Sequence, residues 1–289
     1  MASVQANGIS IEYDIHGEGD PLLLVMGLGA QLTDWTADLV DEFVGRGFQV
    51  IRYDNRDIGL STAFDWEPPS QVKTMMAMVA RRPMHADYHI SDMAADGAGL
   101  LDALGVESAH VVGASMGGMI AQSMAIEHAG KVRSLTSIMS NTGDRKHGGI
   151  AKKLLAKLAR RPEVTRDNAI DESVRLSRLI AGPHFDAVET RRLATANLDR
   201  SFRPEGIARQ TAAIGASPDR TEGLASVTAP TLVIHGLADQ LVLPSGGVAT
   251  TRAVAGSRIV LYPDMAHDMP APRHAEIADE IRRHVDRAA

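Results

Sequence analysis

The stretch from Ala109 to His128 constrains this chain more than any other. Ala109-His110-Val111-Val112-Gly113 is an apolar run of strand length, Met119 to His128 is spaced for a helix, and Ser115 lies in the short turn Gly113-Ala114-Ser115-Met116-Gly117-Gly118 between them. A buried strand therefore runs directly into a helix. The glycines answer a steric demand, because a turn this tight is strained and side chains two positions either side of the serine would collide with their neighbours. The Ser115 hydroxyl is expected to project above the sheet, where the helix N-terminus offers amide hydrogens to an anion.

The rest of the chain repeats the same alternation. Ile9 to His16 alternates apolar and polar residues after the Asn7-Gly8 turn signal, as in a β-hairpin. Leu22-Leu23-Leu24-Val25 is continuously apolar and ends in Gly27-Leu28-Gly29, the pattern of a strand buried on both faces. Further strands are predicted at Phe48 to Tyr53, Ser134 to Met139, Thr231 to His235 and Arg258 to Tyr262. Helices are expected near Thr33 to Gly45, Ser91 to Leu104, Gly246 to Ala255 and Pro272 to Arg287. This order predicts an α/β protein with a mostly parallel, doubly wound sheet. Between about Gly143 and Val227 the strand signal disappears and the residues are charged and helix-like, so an inserted helical cap at 143–227 is expected between core segments 1–142 and 228–289.

Composition excludes several classes. A net charge of −6 with both signs interspersed gives no field for nucleic acid, and the absence of cysteine removes disulfides, thiolate metal sites and thiol nucleophiles. Met1 to Asn7 has no basic start and no apolar stretch of secretory length, and no run is long enough to span a membrane, so a cytoplasmic location without membrane insertion is expected. Homo-oligomerisation is left open.

A serine is a poor nucleophile at neutral pH unless a base lies within hydrogen-bond reach and a carboxylate holds that base in the right tautomer. Where a serine sits on such a turn, the acid and then the base follow it in the chain. His267 lies just after the last predicted strand and Asp239 just after the strand before it, so both emerge at the carboxyl edge of the sheet with Ser115. His110, His128, His274 and His284 fall on strand starts or helices and read as structural. His235, inside a strand, is the nearest rival for the base; Asp264, Asp268 and Asp144 are rivals for the acid. The backbone N–H groups of Leu28 and Met116 are expected to stabilise an oxyanion. Met26, Met116, Met265 and Met269 should face the site by loop position, with Met75, Met76, Met78 and Met84 in the segment before the helix near Ser91. Flexible, polarizable thioethers suit an adaptable apolar pocket, here for a small hydrophobic ester. The cationic helix from Lys152 to Arg161 reads as a solvated face. This chemistry calls for no cofactor and no metal.

Val25-Met26-Gly27-Leu28-Gly29, Tyr53 to Ser61, Val111 to Gly118, Pro230 to Asp239 and Met265-Ala266-His267 together resemble the α/β-hydrolase superfamily, along nearly the whole chain outside the cap. Val25-Met26-Gly27 and the Arg56 to Ser61 loop look like methylesterases that act on anthracycline-type polyketides. The resemblance implies a serine esterase working through an acyl-enzyme. Carbon–carbon bond hydrolases of ring-fission products and cofactor-free perhydrolases share the same serine triad, and ligand-binding proteins occur on the same scaffold. Haloalkane dehalogenases and most epoxide hydrolases carry aspartate where Ser115 stands. Many members have His-Gly at Met26-Gly27, Arg-Gly at Arg56-Asp57 and Gly-His at Ala266-His267; none of these differences removes a catalytic group.

Overall fold

The computed structural model describes residues 1–70, 73–74, 76–77 and 84–287. The apolar runs become an eight-stranded sheet of order β1-β2-β4-β3-β5-β6-β7-β8, formed by β1 (Ala2–Ala6), β2 (Ile9–His16), β3 (Asp20–Val25), β4 (Phe48–Tyr53), β5 (Ala109–Ala114), β6 (Val132–Ile138), β7 (Thr231–Gly236) and β8 (Arg258–Tyr262). β1 and β2 form the expected hairpin, turned by Asn7 and Gly8 at φ 49° and 77°, and β2 also runs antiparallel to β4. The remaining pairings are parallel.

Burial on both faces explains the unbroken apolar strands, since alternate residues of one strand serve opposite layers. Leu23, Val25 and Val111 join one apolar cluster with α2 (Ile90–Ala103) and α3 (Met116–Glu127), through Met93, Leu100, Ile120 and Met124. Leu22, Leu24 and Val112 join the other with α1 (Ala37–Val44) and the C-terminal helix (His274–Asp286), through Leu39, Phe43, Ile277 and Ile281. Each fully buried aliphatic side chain in these layers contributes about 1.5–3 kcal/mol relative to exposure.

Between β6 and β7 the described elements are helices: α4 (Lys152–Leu158), α5 (Ala169–Ile180), α6 (Ala187–Arg200), α7 (Pro204–Ala216) and the short α8 (Thr221–Leu224). The cationic stretch forms α4, of which only Leu154 is buried, and Arg161 beyond it lies 3.5 Å from Glu172. After β7 come α9 (Ser245–Ala253) and, past β8, the C-terminal helix, α10. α10 buries Ile277, Ala278, Ile281 and Val285, the stripe of an amphipathic helix. Among the described residues no helix is long and apolar enough to cross a membrane.

The winding decides where a site can form. From β3 the chain moves to β4 on one side, and from β5 it moves through β6 and β7 to β8 on the other. The loops after β3 and β5 therefore diverge at a topological switch point, which opens a crevice at the carboxyl edge.

Candidate active site

Ser115 stands at that crevice with φ 57° and ψ −120°, a conformation that L-residues avoid and that only its surroundings can impose. Its N–H donates to the Ile138 carbonyl at 2.9 Å, tying the turn to β6. The flanking glycines fill the space as the sequence suggests. A Cβ on Gly113 would lie 2.0 Å from the Gly117 carbonyl oxygen, and one on Gly117 would lie 2.0 Å from that of Val25. Neither position admits a side chain.

β7 and β8 deliver the other two groups. Gly236 closes β7 against the loop after β8 so tightly that a Cβ there would meet the Met265 carbonyl oxygen at 2.1 Å. Across this contact Asp239 Oδ2 accepts from His267 Nδ1 at 2.8 Å, and His267 Nε2 lies 2.9 Å from Ser115 Oγ. Asp239 Oδ1 accepts from the Leu241 and Val242 amides at 2.8 and 2.9 Å. Burial alone would raise the Asp239 carboxyl, but hydrogen bonds with His235 and His267, together with the charge of His267, hold it at about 2. An ionised Asp239 keeps the proton of the imidazole on Nδ1 and leaves Nε2 free to face the serine.

The rivals have other partners. His235 is fully buried, with Nε2 donating to the Val242 carbonyl at 2.8 Å and lying 3.5 Å from Asp239 Oδ2. Asp264 is paired with His184 and Arg273, Asp144 with His147, and Asp268 accepts from the Ala266 and Gly182 amides. His110 bonds Ser134, His274 the Met269 carbonyl and His284 the Pro230 carbonyl.

The loop after β3 lies beside the serine: a Cβ on Gly27 would be 3.1 Å from Ser115 Cβ and 3.6 Å from its Oγ. Among the described residues neither the Leu28 nor the Met116 amide donates to a protein acceptor, so both N–H groups remain unengaged, one directly after Ser115 and one directly after Gly27. Leu28 is 39% exposed, and Ile207 of α7, beside Gly29, is 41% exposed.

The methionines divide. Met26 and Met265 are buried in the apolar cluster shared with α1 and α10, Met269 packs against it, and Met116 belongs to the opposite cluster. Met84 packs near Gly215 of α7, Met76 is exposed, and Met75 and Met78 lie outside the described residues.

The contacts made by Asn55 and Asp57 carry no signal in the sequence. Asn55 Nδ2 donates to the Met26 carbonyl at 2.9 Å. Asp57 stands where the family resemblance expects glycine, and its φ of 71° shows why glycine suits the position. Its carboxylate accepts from Tyr88 Oη, the Phe64 amide and Arg209 of α7, contacts that hold the unfavourable conformation.

The family model described as alpha/beta hydrolase fold matches residues 20–270. Rhodomycin D methylesterase of Streptomyces peucetius is 28% identical, with 93% of each chain covered. The 2-hydroxymuconate semialdehyde hydrolase of Pseudomonas sp. (strain CF600) is also 28% identical, covering 98% of this chain and 94% of its own. The crystal structure of the enol-lactonase from Burkholderia xenovorans LB400 superposes with a TM-score of 0.73 at 23% identity, over 99% of both chains. With a match that spans all the parallel strands and every loop around Ser115, the chain belongs to the α/β-hydrolase fold family.

Proposed function

We propose that this chain is a serine hydrolase that cleaves a carboxylic ester or lactone of a small hydrophobic substrate. The observation that carries the reading is the unbroken hydrogen-bonded line from Asp239 through His267 to Ser115, with the Leu28 and Met116 amides unengaged. Ser115 Oγ attacks the acyl carbon while Nε2 of His267 takes its proton, and Asp239 stabilises the imidazolium that results. The Leu28 and Met116 N–H groups receive the negative charge on the former carbonyl oxygen. Collapse of this intermediate expels the alkoxide, which leaves with the proton from His267. Water, deprotonated in turn by His267, then attacks the acyl-enzyme and releases the acid.

The similarity to methylesterases supports an ester substrate, and the exposed Leu28 and Ile207 by the site support an apolar one. A second reading, hydrolysis of a carbon–carbon bond with the same triad, draws on the similarity to the semialdehyde hydrolase.

A panel of p-nitrophenyl esters assayed on the wild type and on Ser115→Ala tests the proposal. Turnover is expected on short apolar acyl chains, falling by about 10⁴-fold or more in the variant. Unchanged turnover in Ser115→Ala would sink the nucleophile assignment. Turnover of a vinylogous 1,5-diketone in place of every ester would move the chain to the second reading.

A further inference from the structure

Helix α7 touches two loops of the site at once. Gly206, Arg209, Gln210 and Ala213 are buried and fall on one face by their spacing of three and four. At one end a Cβ on Gly206 would sit 2.1 Å from the Asp57 carbonyl oxygen, so the helix rests directly on that loop. At the exposed edge of this face Ile207 lies so close to Gly29 that a Cβ there would be 3.0 Å from its side chain.

Gln210, 0% exposed, joins these two loops through its carboxamide. Oε1 accepts from the Gly29 N–H at 2.9 Å and Nε2 donates to the Arg56 carbonyl at 2.8 Å. The chemistry of the partners admits only this orientation, because a backbone amide can only donate and a carbonyl only accept.

Gly29 follows Leu28, whose N–H is one of the two proposed oxyanion donors. The turn is closed by Ala30 N–H donating to the Gly27 carbonyl at 3.3 Å, a long bond that by itself holds the loop weakly. Asn55 secures the residue before the turn, at the Met26 carbonyl, and Gln210 secures Gly29. Between these two anchors the Leu28 N–H stays unengaged. A donor that stabilises developing charge must be aimed before the charge appears, so what aims it affects the transition state more than substrate binding.

We infer that Gln210 is a positioning residue for the oxyanion hole, holding the Leu28 amide in line from the helical segment between β6 and β7. The inference rests on the hydrolase reading above. Gln210→Met keeps the length and apolar stem of the side chain and removes both hydrogen bonds. Gln210→Glu keeps an acceptor for Gly29 and loses the donor to Arg56.

The readouts are kcat and KM on a p-nitrophenyl ester, inhibition by a trifluoromethyl ketone of the same acyl chain, which binds as an oxyanion adduct of the serine, and the thermal midpoint. Gln210→Met is expected to lower kcat by about ten- to a hundredfold with KM within about threefold of wild type, and to weaken the ketone by the same factor as kcat/KM. Gln210→Glu is expected to recover kcat to within about threefold of wild type even though its thermal midpoint falls. A folded Gln210→Met with wild-type kcat overturns the inference. So does a loss of kcat without weaker ketone binding, or a Gln210→Glu as slow as Gln210→Met. If Gln210→Met does not fold, Gln210→Leu, likewise apolar and without either hydrogen bond, carries the same comparison. Failure of the hydrolase reading shows separately, as absent turnover in the wild type or turnover retained by Ser115→Ala.

Discussion

Replacing Asp239 by asparagine exchanges a single oxygen for nitrogen, and the geometry makes that exchange decisive. The Leu241 and Val242 amides donate to Oδ1 at 2.8 and 2.9 Å, and a backbone amide has no other role available to it. The carboxamide oxygen must therefore face those two groups, which turns its NH2 toward His267. The opposite rotamer would set NH2 against two buried donors and leave them unsatisfied, at a cost of about 1–3 kcal/mol each. With an NH2 at 2.8 Å, where Oδ2 now accepts, Nδ1 of His267 has to accept instead of donate. The ring proton moves to Nε2, which then lacks the lone pair needed to take the Ser115 proton across 2.9 Å. A wrong-tautomer imidazole lowers kcat by about 10⁴-fold, which corresponds to about 5–6 kcal/mol of lost transition-state stabilisation. The assay is p-nitrophenyl ester turnover by Asp239→Asn, alongside its rate of inactivation by a serine-directed phosphonate, which is expected to fall in parallel. A folded variant within about tenfold of wild-type kcat would refute the tautomer argument. The lowered Asp239 pKa adds a second signature. A carboxyl at about 2 in the folded state, against 3.8 otherwise, contributes stability that is present above pH 3.8 and lost as pH falls toward 2. Asp239→Asn lacks that acid-dependent step.

The remaining expectations concern the frame around the site. Gly117→Ala brings a Cβ to 2.0 Å from the Val25 carbonyl oxygen and 2.6 Å from its carbon, both backbone atoms that move only with β3. It is expected to lower stability by about 2–4 kcal/mol, read as the urea midpoint, and an unchanged midpoint would show that position 117 tolerates a side chain. Burial pushes His110 down to about 4 from 6.5, with Nδ1 2.9 Å from Ser134 Oγ. The unfolded chain binds this proton below pH 6.5 and the folded chain only near 4, so stability is full above pH 6.5 and falls through that window by up to about 3 kcal/mol. His110→Gln, which can still bond Ser134, should flatten the difference between urea midpoints at pH 7 and pH 5. His284, also lowered by burial, leaves a residual slope, and an unaltered slope in the variant would count against the assignment to His110.

The parallel sheet was legible in the sequence because its strands are buried on both faces and so read as unbroken apolar runs, each closed by glycine or by a polar loop. Ser115 was legible for a local reason, since the Gly113 contact with the Gly117 carbonyl falls within five residues, although Gly117 is also required by the distant Val25 carbonyl. His267 and Asp239 were legible through chain order and through their positions after the last two parallel strands. The contributions of Met26 and Met265 to the apolar layers were less so, since a loop position leaves undefined which way a flexible side chain turns.

What the sequence by itself determined, then, is the strand, turn and helix order and the edge at which Ser115, Asp239 and His267 emerge. Backbone sterics and burial periodicity operate over a few residues and leave their mark there. Only the tertiary structure decided that Asp239, and not Asp264, Asp268 or Asp144, meets the imidazole, because each rival carboxylate is engaged by partners elsewhere. Only it showed that Asp57 is held by Arg209, and that Gln210 reaches Gly29 across 181 residues of chain. A hydrogen bond of this kind depends on distance in space, and two polar residues far apart in sequence carry no local pattern that links them.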